Sequence, residues 1–182
     1  MHNGTYYIRK DDDGKYWDLE GVRVLRPVDT PWVTGLQAWC RAIPEELRDT
    51  LVVIGAYTGE GSLIQSDFFR RVIDIDPWQD AETLYQYYLR CVSAQANIEH
   101  IRGYSTEVIP ALPDGKYIFY IDGSHRRRAV EADIVVCKSR LVSGDYLGGH
   151  DYVAGSDVKI AVDRYFPMVE VFEDSSWLTR ID

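Results

Sequence analysis

The sequence has few of the features that place a chain in a specialised class. Cysteine occurs only three times in 182 residues, at Cys40, Cys91 and Cys137, and never with Cys-x-x-Cys spacing. An odd number of widely spaced cysteines predicts neither a disulfide framework nor a zinc knuckle. No apolar run is long enough to span a bilayer, and the opening MHNGTYYIRKDDDGK has no apolar segment typical of a secretion signal. These absences predict a cytoplasmic protein with reduced thiols and no membrane partner.

Basic residues are also in deficit, with 20 Lys and Arg against 29 Asp and Glu, a formal net charge of −9. A nucleic-acid surface needs cationic side chains to neutralise phosphates, so the charge balance disfavours a nucleic-acid partner. The basic run Arg126–Arg128 is short and is typical of a solvated helix start. The length and the hydrophobic fraction of 46% are typical of one soluble domain with a proper core.

What the sequence does contain is a regular alternation of strand and helix patterns from Leu51 onward. The predicted strands are Leu51–Gly55, Arg70–Asp76, Asn97–Gly103, Tyr117–Asp122 and a segment within Gly144–Tyr152, with helices between them. This order predicts an α/β fold with a doubly wound, mainly parallel sheet. Met168–Ile181 reads as a closing antiparallel hairpin.

The residues before this alternation predict an addition to the sheet domain. Thr5–Ile8 and Tyr16–Val24 flank the turn DDDGK and predict a β-hairpin, and Trp32–Ala42 predicts a helix whose apolar residues pack on the sheet. We therefore expect a small extension at residues 1–45 and the main domain at residues 46–182.

A glycine-rich turn, Gly55–Gly61, follows the first predicted strand of the main domain. Glycines there allow a sharp turn and a close approach to a ligand, although the same pattern also suits a purely structural turn. No Gly-Lys-Ser/Thr follows, which excludes a Walker loop. The next strand ends in Asp74-Ile75-Asp76, about twenty residues after Gly55, where a carboxylate can accept from the hydroxyls of a nucleoside ribose. Solvated acids at a strand end are the alternative.

Four polar residues follow the next strands of the predicted sheet. Asp122 ends YIFYID and is followed closely by His125, while His150 and Asp151 follow the fifth strand. Because the carboxyl ends of parallel strands share one edge, these side chains should converge over one crevice. They could act as an acid–base group or bind a divalent ion, or they could only cap local turns.

Taken in order, LVVIGAYTGEG, RVIDIDP, GYSTEVIPALP, YIFYIDGSH and GDYLGGHDY resemble class I S-adenosylmethionine-dependent methyltransferases. The likeness is strongest to small-molecule O-methyltransferases of the catechol, macrocin and mycinamicin type, and covers about Leu51 to the end. It implies a Rossmann-like sheet of seven strands in the order 3-2-1-4-5-7-6.

The resemblance also implies roles for particular residues. Gly55, Tyr57 and Gly59 would line the methionine portion of the cofactor, and Asp74 would bind its ribose hydroxyls. Tyr104 and Ser105 would lie beside the adenine, and Asp122 would lie near the cofactor amine. His125 would be the general base, beside the catalytic carboxylate of Asp122. A magnesium or similar ion would be held by Asp122, His150 and Asp151. The implied reaction is O-methylation of a small molecule, such as a sugar or a glycosylated metabolite.

Three positions depart from the family pattern. Val53 stands where a glutamate is usual, the Ser-Thr after the turn is shifted to Gly61–Ser62, and a metal position that is commonly acidic is His150. With little length for a substrate lid, these departures keep open a degenerate fold that only binds or assembles, or a homodimer that supplies the lid. A dinucleotide dehydrogenase is disfavoured because the turn lacks Gly-x-Gly-x-x-Gly.

Overall fold

The computed structural model describes residues 8–10, 17–19, 22–24, 31–79 and 81–182, with side chains from residue 32 onward. Near the amino terminus, β1 (Ile8–Lys10), β2 (Trp17–Leu19) and β3 (Val22–Val24) form a three-stranded antiparallel sheet. The sequence predicted a two-stranded hairpin here. The structure instead has two strands, β2 and β3, among the described residues of the predicted second strand. Residues 5–7 and the DDDGK turn lie outside the described residues.

The rest of the chain alternates strands and helices as predicted, with boundaries that differ by one or two residues. A short 3₁₀ turn at Glu45–Leu47 precedes the sheet. The strands are β4 (Thr50–Ile54), β5 (Arg71–Asp76), β6 (Ile98–Arg102), β7 (Ile118–Ile121), β8 (Tyr146–Gly149), β9 (Glu170–Val171) and β10 (Trp177–Arg180). The helices are α1 (Pro31–Ala42), α2 (Glu60–Ser66), α3 (Glu82–Val92), α4 (Ser105–Ala111), α5 (Arg127–Lys138) and α6 (Asp157–Tyr165).

The main sheet has seven strands in the order β6-β5-β4-β7-β8-β10-β9. β4 pairs in parallel with both β5 and β7, and β7 pairs in parallel with β8. β10 is antiparallel to both β8 and β9. This is the predicted order 3-2-1-4-5-7-6 with its antiparallel closing hairpin, so the sequence-based fold class is confirmed. The carboxyl ends of the parallel strands share one edge of the sheet.

Both faces of this sheet are covered by helices. On one face Leu36 and Trp39 of α1 are fully buried in a cluster with Leu51 and Ile118. On the other face Ile134 of α5 packs in the larger cluster of buried apolar side chains. The predicted packing of α1 on the sheet is therefore confirmed, and the buried strands are held rigidly beneath the edge that carries the polar residues.

No helix among the described residues is both long enough and apolar enough to cross a bilayer. The three cysteines, Cys40, Cys91 and Cys137, are all buried and unpaired. Burial raises the pKa of the Cys91 thiol to about 12.

Candidate functional site

A cleft of about 880 Å³ opens along the carboxyl ends of β4, β5, β7 and β8. Its walls include residues from all four of these strand ends, and also from α1, α2, α4 and α5. This is the edge at which open α/β sheets bind ligands. The strands are buried and cannot move independently, so the residues that follow them are held at fixed positions around the cleft.

The glycine-rich turn forms the centre of the cleft. Gly55 has a φ of +88°, and a Cβ at this position would overlap the backbone oxygen of Asp122 and the Cα of Gly123. Only glycine allows the turn after β4 to lie so close to the end of β7. The close approach joins the two halves of the cleft, because Asp122 N also donates to Ile54 O over 2.8 Å.

Tyr57, in the turn after β4, and Asp76, at the end of β5, line the cleft beside Gly55. One carboxylate oxygen of Asp76 accepts from Tyr57 N over 3.0 Å, and the other accepts from Trp78 N over 2.8 Å. Trp78 Nε1 in turn donates to the Tyr57 carbonyl oxygen over 2.9 Å. A carboxylate has about four acceptor sites, so Asp76 keeps acceptor capacity for ligand hydroxyls.

The structure does not bring Asp74, the acid expected to bind a ribose, into the cleft. Asp74 is 0% exposed, and its two oxygens accept from Ser62 Oγ and Tyr88 Oη, each over 2.7 Å. Burial raises the pKa of this carboxyl to about 7, and the two hydroxyl donors oppose the rise. Asp74 therefore joins β5 to α2 and α3, and the acid of β5 that lines the cleft is Asp76, two residues later.

Gly59 also lies outside the lining of the cleft. It precedes α2 with a φ of +88°, and a Cβ there would lie 2.8 Å from Val92 Cγ1 and 3.1 Å from Tyr88 Cδ2. Gly59 lies where α2 contacts α3, and this contact supports the glycine-rich turn on the side away from the cleft.

At the β6 end of the cleft, Tyr104 and Ser105, the residues predicted to lie beside an adenine, line the wall. Tyr104 is 49% exposed. The Ser105 hydroxyl donates to Asp133 of α5, a buried acid that also lines the cleft. Burial raises the pKa of Asp133 to about 6, against the opposing effect of the Ser105 hydrogen bond.

At the opposite end, the residues after β7 and β8 converge as predicted. His125 Nε2 lies 2.9 Å from Asp151 Oδ2, and His150 Nδ1 lies 3.2 Å from Asp151 Oδ1. Asp151 thus contacts both histidines, and it holds a left-handed backbone conformation with φ of +61°. Such strain in a residue other than glycine is common at functional sites. Asp122 completes the group, with Oδ1 3.8 Å from His150 Nδ1.

His150 lies beneath this group, with its side chain 10% exposed. Its Nε2 lies 3.8 Å from Asp174 Oδ2 in the turn between β9 and β10. Burial favours the neutral ring, but the Asp151 hydrogen bond and the charges of Asp122, Asp151 and Asp174 together raise the pKa of His150. The raised pKa favours the protonated form of this ring, which has no free nitrogen lone pair for a metal.

The residues that can meet at a cation differ from the predicted set. Within the described part of the chain, Asp122, His125 and Asp151 can each offer one ligand atom, all within 4.8 Å of one another. His125 therefore takes the place that was predicted for His150. Two carboxylates and one imidazole suit a divalent ion, so the residues present fit a metal.

Asp76 belongs to the strand end Asp74-Ile75-Asp76 that the sequence singled out, although the resemblance gave the ribose role to Asp74; both acids share one side of the strand. The same wall also contains residues that the sequence did not identify. Asp133 and Gln65 carried no local motif, because each reaches the cleft from a helix. Gln65 of α2 is fully buried, and neither side-chain atom has a hydrogen-bond partner within the described residues.

These features fit S-adenosylmethionine: a glycine turn that a Cβ would obstruct, an acid for a ribose, a polar pocket at β6, and an unsatisfied amide. Several solved structures share the fold of this chain. The O-methyltransferase from Bacillus cereus in complex with S-adenosylhomocysteine has 12% identity, covers 84% of this chain and 80% of its own, and has a TM-score of 0.60.

Two further structures show how broadly the fold is used. CalS11, a TDP-rhamnose 3′-O-methyltransferase, has 10% identity, 81% and 76% coverage of this chain and its own, and a TM-score of 0.61. Spermidine synthase from Thermotoga maritima has 15% identity, 94% and 66% coverage, and a TM-score of 0.58. At these identities the likeness shows the fold alone. Among curated proteins, none matches the sequence.

Residues 52–152 match the family described as Methyltransferase domain. The match covers more than half of the chain and extends from β4 to just after β8, the strands whose ends form the cleft. The chain therefore belongs to the S-adenosylmethionine-dependent methyltransferases of this family.

Proposed function

We propose that this methyltransferase transfers a methyl group to a hydroxyl of a small molecule, such as a sugar or a glycosylated metabolite. The observation that carries the proposal is the 2.9 Å contact between His125 Nε2 and Asp151 Oδ2 at the cleft end away from Tyr104 and Ser105. An exposed histidine held by a carboxylate is a suitable base for removing a hydroxyl proton. The sugar-methylating activity in the name of CalS11 is consistent with this acceptor class.

His125 is the proposed general base. Its contact with Asp151 keeps a proton on Nε2, so Nδ1 is the nitrogen that accepts the acceptor's hydroxyl proton. When bound, S-adenosylmethionine would supply a sulfonium methyl group, whose carbon–sulfur bond would break with its electron pair left on sulfur as the deprotonated oxygen bonds to the methyl carbon. Asp122 and His150 fix the position of Asp151 and the charge around it.

The cofactor residues of the proposal follow the cleft. Gly55 gives access over β4, and Asp76 accepts from the ribose hydroxyls in the role that the resemblance gave to Asp74. Tyr104 and Ser105 lie beside the adenine, with Asp133 behind Ser105. The apolar Val53 in place of the usual glutamate leaves the amino-acid end of the cofactor without that carboxylate.

A second candidate is the metal-assisted form of the same reaction, favoured by the group Asp122, His125 and Asp151. These three residues would hold the ion, which would lower the pKa of a bound hydroxyl. His125 cannot be both the base and a ligand through the ring nitrogen that faces Asp151. A requirement for a divalent ion would therefore make His125 a ligand rather than the base.

Titration calorimetry with S-adenosylmethionine and S-adenosylhomocysteine, with and without Mg²⁺, tests the proposal. We expect both to bind without added ion. Binding of neither compound would contradict the proposed function and favour the alternative, a methyltransferase fold that serves only in binding or assembly. Binding of both compounds, together with methyl transfer to a hydroxylated acceptor in a screen, would exclude that alternative.

The remaining parts of the proposal concern the oligomeric state, the location and the partners of the protein. A homodimer that covers the cleft would replace the short lid, and light scattering that gives a monomeric mass would contradict it. A cytoplasmic location is consistent with three buried, unpaired cysteines. We expect no nucleic-acid and no membrane partner.

A further inference from the structure

Gln65 of α2 is the one side chain of the cleft wall whose amide oxygen and amide nitrogen are both buried without a hydrogen-bond partner, within the described residues. The residue is 0% exposed. Burying an unsatisfied polar group costs about 1–3 kcal/mol for each such group, so native structures rarely keep one without a reason. A ligand that enters the cleft can supply the missing partner.

The position of Gln65 indicates which part of a ligand it would meet. Gly61 lies one helical turn earlier on the same face of α2, and a Cβ at Gly61 would contact only Leu36, at 3.9 Å. The missing side chain at Gly61 leaves space beside Gln65, and both residues line the cleft. This corner is closed by Leu36 of α1 and by Val53 of β4.

The order of the strands gives the direction of the cofactor. Ser105 follows β6, Asp76 ends β5, and Gly55 follows β4, the next strand in the sheet. With adenine at Ser105 and ribose at Asp76, the amino-acid end of the cofactor lies over β4, on the side of Val53 and α2. No carboxylate from β4 meets it there, because residue 53 is valine.

We propose that Gln65 binds the amino-acid end of S-adenosylmethionine, with Nε2 donating to its carboxylate and Oε1 accepting from its ammonium group. A carboxamide offers one donor group and one acceptor, which matches a zwitterionic α-amino acid better than a carboxylate side chain does. Gln65 would thus perform, from α2, the polar role that Val53 cannot perform from β4. This inference rests on the proposed use of S-adenosylmethionine.

The test compares two ligands that differ only at that end. S-adenosylhomocysteine carries the amino-acid group, and 5′-methylthioadenosine has the same adenosine and thioether without it. In calorimetry, Gln65→Met should weaken binding of S-adenosylhomocysteine about tenfold and leave the affinity for 5′-methylthioadenosine unchanged, since hydrogen bonds to charged groups are the stronger ones. The melting temperature of the ligand-free variant should rise or stay equal, because methionine removes two unsatisfied atoms at nearly constant volume.

Gln86→Met is the matched control, because Gln86 of α3 is exposed and its side-chain amide donates to Glu82, away from the cleft. It should change neither affinity. If Gln65→Met weakens both ligands equally, or neither, or lowers the melting temperature, the amide serves the fold or a trapped water and the proposal is wrong. If the unmodified protein binds neither ligand, the proposed cofactor itself is wrong and the Gln65 assignment falls with it.

Discussion

The two ends of the cleft hold their acidic side chains in different ways. At the cofactor end, Asp76 accepts from two backbone N–H groups and Asp74 from two hydroxyls, all neutral donors. At the acceptor end, Asp122 and Asp151 face two histidines across 2.9–3.8 Å. The first arrangement holds each acid with fixed neutral donors, and the second places acids against imidazole rings. The molecule thus separates a preformed binding cradle from a group suited to proton transfer.

The largest expected effect comes from a change that breaks both ends at once. Gly55→Ala places a Cβ against the backbone of Asp122 and Gly123 at a φ of +88°, so the turn after β4 must separate from β7. We expect a loss of about 4 kcal/mol or more in the free energy of unfolding, as for other severe backbone conflicts. Denaturant unfolding measures it.

Gly155→Ala is the control for that variant. Gly155 has a φ of +81°, but a Cβ there meets nothing within 4 Å. It should cost only about 1–2 kcal/mol, the penalty of the left-handed conformation alone. Equal losses in the two variants would show that the close approach to β7 contributes nothing.

The second prediction distinguishes the roles of the two ends of the cleft. His125→Ala removes the proposed base but no cofactor contact, so turnover on an identified acceptor should fall about 10²–10⁴-fold. The affinity for S-adenosylhomocysteine, measured by calorimetry, should not change. His100→Ala, which alters an exposed histidine bonded to Tyr85, is the control. Full activity of His125→Ala would remove this residue from the mechanism.

The contrast between the two ends also explains what the sequence could predict. The sheet order follows from local patterns and from the resemblance, and the convergence of the polar group at Asp122, His125, His150 and Asp151 could be predicted because its members follow two neighbouring parallel strands. Choosing between Asp74 and Asp76 was different, because both lie on the same side of β5. Ser62 and Tyr88, which bury Asp74, come from α2 and α3. Gln65 and Asp133 were missed for the same reason, since only packed helices bring them to the cleft.

A third effect tests whether Asp74 is structural. Its folded pKa, about 7, lies above the value of 3.8 for an unperturbed aspartate. Between these pH values the unfolded chain has released the proton that the folded protein still binds, so stability falls as pH rises. The slope should approach about 1.4 kcal/mol per pH unit, and the full stability is present only below the unfolded pKa.

Asp74→Asn should remove the contribution of Asp74, because asparagine does not titrate, and leave the contribution of groups such as Asp133, whose pKa burial raises to about 6. Urea unfolding from pH 4 to pH 8 measures the slope. Asp114→Asn, at an exposed acid in the loop before β7, should keep the slope of the unmodified protein. If Asp74→Asn keeps that full slope as well, Asp74 does not contribute to it.

The smallest expected effect distinguishes the two acids of β5 by binding. Asp76→Asn leaves an amide nitrogen facing one of two backbone donors and reduces the acceptors offered to ribose hydroxyls. We expect about a tenfold loss of affinity, or about 1.4 kcal/mol, for both S-adenosylhomocysteine and 5′-methylthioadenosine, since both carry the ribose. Asp74→Asn, compared at pH 5, where the folded protein keeps Asp74 protonated, should bind both ligands normally. The reverse result, with binding lost only in Asp74→Asn, would return the ribose to Asp74 and require this buried side chain to leave Ser62 and Tyr88 when the ligand enters.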